Sequence, residues 1–155
     1  MRKLYFFFLL LIITSCSTKN VLVDVSSDPN FNNENFNDVF IIVNIWGVSD
    51  QANYYKNLTN HLTAEFKKRG IDATAFIYNK NMVNGDEILR QKLSIFNPKY
   101  IMEFKSVNDI FIVIKEVESE DEIWKAFLRN PYVSSETYTQ IIFSELQKHK
   151  IIKPQ

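Results

Sequence analysis

The chain has 155 residues, 46% of them hydrophobic and 23% charged, with 18 basic and 18 acidic side chains. That is a single-domain length able to bury a modest core, and its balanced charge argues against a nucleic-acid surface, which needs clustered cations. A lone cysteine excludes any disulfide within the chain.

The first segment reads MRKLYFFFLLLIITSCS. Arg2 and Lys3 precede an apolar run over residues 4–13, and small polar residues lead to Cys16, the layout of an export signal. The run is much shorter than the ~20 residues a membrane-spanning helix requires. Ile13-Thr14-Ser15-Cys16 resembles the lipobox of bacterial lipoproteins, although Ile13 stands where leucine is commoner. The resemblance implies cleavage before Cys16 and acylation of its thiol, with a second acylation on the amine meeting the need for more than one chain in stable anchoring. Residues 1–15 are then a signal peptide. Loss of Arg2 and Lys3 leaves a mature net charge of about −2.

Residues 16–38 are expected to be the lipidated cysteine and a mainly flexible tether, polar and rich in asparagine, its ends about 25 Å apart as a coil. Within it, residues 21–25 (VLVDV) suit a short strand. Residues 39–155 form one domain. Residues 39–46 (VFIIVNIW) are β-branched and apolar on both faces, the pattern of a central strand covered on two sides. Gly47 breaks it, and Ser49 or Asp50 is placed to cap the following helix. Tyr55, Leu58, Leu62 and Phe66 form that helix's buried stripe. Lys67, Lys68 and Arg69 suit its carboxyl end, and Gly70 closes it.

Residues 71–78 predict a second strand, parallel to the first through a right-handed crossover. Residues 86–96 predict a short helix buried through Leu89, Leu93 and Phe96 and ended by Asn97-Pro98. Three strands follow at 100–105, 110–118 and 122–129, and a helix from about Ser135 buries Tyr138, Ile141, Ile142 and Leu146. The order β-α-β-α-β-β-β-α predicts an α/β two-layer sandwich, with a mixed sheet of about five strands and helices mainly on one face.

The residues for catalysis are sparse. Cys16 is consumed by lipid, and His61 and His149 are far apart in sequence, so neither a nucleophile–base pair nor a metal set is expected. His61 reads as a boundary or solvated histidine. The acidic group Glu116, Glu118, Glu120, Asp121 and Glu122 spans a hairpin tip, where charges are usually solvated. Only three glycines are present, too few for a phosphate loop. The expectation is a non-enzyme without cofactor or metal. A carrier enclosing an apolar ligand between sheet and helices and, further behind, a small hydrolase at the acidic hairpin are the alternatives.

Alternation along the last three strands assigns a partner surface. If Tyr100, Met102 and Phe104 face the helices, then Ile101, Phe111, Val113, Ile123 and Phe127 form an apolar centre on the opposite face, rimmed by Glu103, Lys105, Lys125 and Arg129.

The phrases VFIIVNIWGVSD, LTAEFKKRGI and EIWKAFLRN, with the closing amphipathic helix, are similar to small envelope lipoproteins with α/β domains. Among these are the amino-terminal domain of the Tol-system protein TolB and the periplasmic domains of curli-secretion-like lipoproteins. The resemblance spans residues 39–152 and rests on hydrophobic pattern. It implies a non-enzymatic part in envelope assembly or transport and an envelope protein as partner. Ser17 is not the aspartate that retains some lipoproteins at the inner membrane, which implies the outer membrane, facing the periplasm.

Overall fold

A computed structural model describes residues 22–45, 52–79, 82–106, 110–129 and 133–154. The leader, Cys16 and the Gly47–Asp50 capping turn lie outside the described residues. Six strands form one mixed sheet: β1 (Leu22–Ser27), β2 (Asp38–Ile45), β3 (Asp72–Asn79), β4 (Tyr100–Ser106), β5 (Ile110–Glu116) and β6 (Glu122–Leu128), in spatial order β1-β6-β5-β4-β2-β3. The helices are α1 (Ala52–Lys68), α2 (Gly85–Phe96) and α3 (Ser135–Lys148). The expected α/β order is present, preceded by one more strand.

Strand β2 lies between β3 and β4 and is parallel to both. Its apolar run is explained by cover on two sides. Val39, Ile41 and Val43 join the main core with Leu58, Leu62 and Phe66 of α1 and Tyr138, Ile142 and Leu146 of α3. Phe40 and Ile42 point the other way, to Phe76 and to Ile88, Leu89, Leu93 and Phe96 of α2. Helices α1 and α3 therefore cover one face, while α2 covers only the β2–β3 side of the other.

The α1 terminus follows its sequence signals. Gly70 takes φ +75°, its N–H bonds to the Lys67 carbonyl and the Ile71 N–H reaches back to Phe66, which is the Schellman arrangement. Helix α3 ends the same way with Lys150 in the left-handed position: its N–H bonds to Gln147, and that of Ile151 to Leu146. The buried face of α3 also departs from the expected one, since Thr139 and Phe143 are buried and Ile141 is only half-buried.

The segment expected mainly as a tether contributes to the domain from Leu22 onward. β1 pairs antiparallel with β6, Val25 opposite Ala126 and Ser27 opposite Trp124. Beyond it, Asn32 caps a 3-10 turn at Asn33–Asn35 by accepting from the Glu34 N–H at 3.0 Å. This turn places Phe36 in the core, its ring 4.7 Å from Tyr100 and 6.2 Å from Phe66, with Phe31 edge-on to Tyr100 at 5.8 Å. A polar, asparagine-rich composition concealed this, because two aromatic rings supply the burial that holds the segment. Replacing Phe36 by Ala is therefore expected to cost about 3–4 kcal/mol, measured by urea unfolding, whereas a residue on a free tether costs nothing measurable.

Candidate interaction surface

Of the five residues that alternation assigned to one outward surface, the register keeps Ile101, Phe111, Val113 and Phe127 on one sheet face and moves Ile123 to the other. Ile101 packs beside Phe40, Ile42 and Phe76, on the side covered by α2. Phe111 and Phe127 are directly opposed across β5 and β6 and half-buried. Val113 sits between Glu103 and Lys125 on the neighbouring strands and is fully buried. Ile123 is in the core on the α1–α3 side, together with Trp124.

Ile123 departs from the expectation for a definite reason. Ile114 opposes Trp124 while Lys115 opposes Glu122, so Ile123 is an extra residue in β6. Such a bulge breaks strict alternation and lets two consecutive side chains turn to one face. The outward face near the hairpin thus loses one of its assigned apolar residues. What remains on the side away from α1 and α3 is Ile101, Phe111, Val113 and Phe127 within a polar lattice. Asn44 donates to Glu103 at 2.9 Å, Lys105 lies 3.3 Å from Glu103, and Lys125 and Lys115 lie 3.8 and 3.7 Å from Glu122.

The acidic hairpin is splayed. Glu118, Glu120, Asp121 and Glu122 are exposed, Glu116 pairs with Lys99 at 3.6 Å, and Ser119 donates its hydroxyl to Glu116 at 3.0 Å. No cluster of three or more metal-ligating side chains occurs among the described residues. His61 is exposed on α1. His149 joins β1 to the end of α3, with Nδ1 3.2 Å from the Ser27 hydroxyl and Nε2 3.6 Å from Glu145.

Two concavities open at the surface of the described residues. One of about 420 Å³ lies between α1 and α3 and is lined by His61, Glu65, Arg69, Glu136, Gln140 and Phe143, among others. Another of about 480 Å³ follows the β3 edge beneath Thr59, Thr63 and Lys67 of α1. Between the sheet and these helices the space is filled by Leu58, Leu62, Phe66, Met102 and Trp124, all fully buried.

The α1–α3 cleft contains a device that the sequence did not reveal. The Arg69 guanidinium is ion-paired with Glu65 one turn earlier and stacks over the Phe143 ring of α3 at 4.5 Å, while Phe66 meets the same ring at 4.6 Å. One cation thus links two helices that are distant in sequence. Its hydrogen bond holds the Glu65 carboxyl below the usual glutamate range, against the upward push of partial burial.

Two outcomes follow from this geometry. Ile123→Ala is expected to cost about 2–4 kcal/mol and Phe111→Ala only about 1–2 kcal/mol, a ranking that urea unfolding of the two variants checks. For Glu65, a depressed carboxyl stabilises the fold above its unfolded pKa and loses that contribution as pH falls through the lowered one. Glu65→Gln should therefore be less stable than the parent at pH 7, and the gap should close below about pH 4.

No family model and no curated protein matches the chain. Two solved structures of the PelC dodecamer from Paraburkholderia phytofirmans, one of them a point variant, are similar to it in fold. They show identities of 10% and 11% and TM-scores of 0.49 and 0.47, spanning 84% of this chain and 98% and 97% of theirs. A likeness this distant transfers neither a residue role nor a function to this chain.

Proposed function

We propose that this protein is a lipid-anchored binding or scaffold module of the cell envelope, without catalytic activity, held by Cys16 at the outer membrane and facing the periplasm. The observation that carries the reading is the order of Arg2 and Lys3, the apolar run 4–13 and the Ile13-Thr14-Ser15-Cys16 sequence. The described sheet begins at Leu22, so a chain cut before Cys16 keeps all six strands. Several of the domain's polar groups are engaged with one another: Glu65 with Arg69, His149 with Ser27 and Glu145, Glu116 with Lys99, and Glu122 with Lys115 and Lys125. Its partner surface is the outer sheet face beyond α2, where the Phe111–Phe127 pair lies among Glu103, Lys105 and Lys125.

Cell fractionation of the full chain and of Cys16→Ser tests the anchor. The parent should pellet with membranes after a high-salt wash, and the variant should move to the soluble fraction. A variant cleaved after Ser15 and still membrane-bound after the wash overturns the reading.

A further inference from the structure

Strand directions sort the whole domain into two ends. Leu22 pairs with Leu128 at the end of β6, which opposes Ile110 at the start of β5, which opposes Ser106 at the end of β4. Because β2 and β3 run parallel to β4, Ile45 and Asn79 lie at this same end. The β5–β6 hairpin tip lies at the other, where Val117 donates to the Lys99 carbonyl at 2.8 Å.

The chain enters the sheet six residues after Cys16. Even fully extended, six residues reach only about 20 Å. An eight-residue strand is about 26 Å long. With acyl chains on Cys16 inserted in a bilayer, the hairpin end cannot be turned onto the membrane, because the connection is shorter than the sheet it has to pass. Lying sideways on the β1 edge would press Asp24 and Ser26, both exposed, onto the lipid surface.

The end nearest Leu22 offers a different surface. Immediately after β3, Met82 and Val83 are exposed, Val83 to 83%. They are not loosely held. Met82 donates to the Asn79 carbonyl at 2.8 Å and Gly85 to that of Met82 at 3.1 Å. A side chain at Gly85 would meet the Tyr78 ring at 3.1 Å. The tight turn thus displays two apolar side chains at the end of the sheet where the anchor arrives.

We infer that the domain stands on the bilayer on the carboxyl ends of its parallel strands, with Met82 and Val83 at the lipid surface and the β5–β6 hairpin pointing away from it. The inference rests on the lipid-anchor reading above and adds an orientation to it. Apolar side chains settle into the headgroup boundary when a tether holds them there. Charges of both signs lie at this end, Lys105 and Arg129 beside Asp24, Asp86, Glu87 and Glu136, so the short connection and the apolar turn, and not attraction to anionic lipid, set the orientation. The end presented to the aqueous compartment then carries the acidic hairpin beside the basic carboxyl ends of α1 and α3, and soluble partners meet that end first.

The test uses the full acylated protein in vesicles of phosphatidylethanolamine and phosphatidylglycerol. Acylated Cys16 is not a free thiol, so Val83→Cys or Glu118→Cys supplies one site for a spin label. The label at 83 should collide several-fold less with a water-soluble nickel chelate than the label at 118. Inserting 20 Gly/Ser residues after Ser17 should abolish that difference while the protein stays bound. Equal exposure of the two labels, greater shielding at 118, or shielding at 83 that survives the insertion overturns the inference while leaving the anchor intact. A parent protein that fails to pellet with the vesicles overturns the anchor reading, and the orientation with it.

Discussion

The fold depends on the burial of β2 on both faces. Phe40, Ile41, Ile42 and Val43 alternate sides, and each side has to be removed from water. A helix on one face alone would leave Phe40 and Ile42 wet. Helix α2 answers that need, as α1 and α3 answer it for Val39, Ile41 and Val43. The parallel pairing of β2 with β3 and β4 follows from the same arrangement, since parallel strands are joined by crossovers that lay helices over the sheet.

This arrangement gives the molecule a polarity. Each helix begins near the carboxyl ends of the parallel strands and runs back to the opposite end, so α1 and α3 lie side by side in the same direction. Their carboxyl ends bring Arg69 and His149 to one end of the domain, where they serve as links between elements. Arg69 joins α1 to α3 through Phe143, and His149 joins α3 to β1 through Ser27.

The antiparallel half of the sheet obeys looser rules. β1 adds an edge and brings a polar segment into the domain, with Phe31 and Phe36 closing against Tyr100. The β6 bulge turns Ile123 inward beside Trp124. The bulge takes Ile123 off the outer face and leaves Ile101, Phe111, Val113 and Phe127 on it.

Elements whose signal lies within a few residues were legible in the sequence. The doubly apolar β2, the α1 stripe with its Gly70 terminus and the Asn97-Pro98 end of α2 each follow from local periodicity and backbone preference. The α/β class followed from their order. The candidate surface was legible only in part, because alternation is a local rule that one extra residue in β6 resets at Ile123, and no local pattern announces a bulge. The inclusion of β1, the packing of Phe36 and the bond of Arg69 to a ring more than 70 residues away were decided by tertiary structure. In each the partner lies far along the chain, and the free energy comes from a contact that exists only once the sheet and helices are assembled.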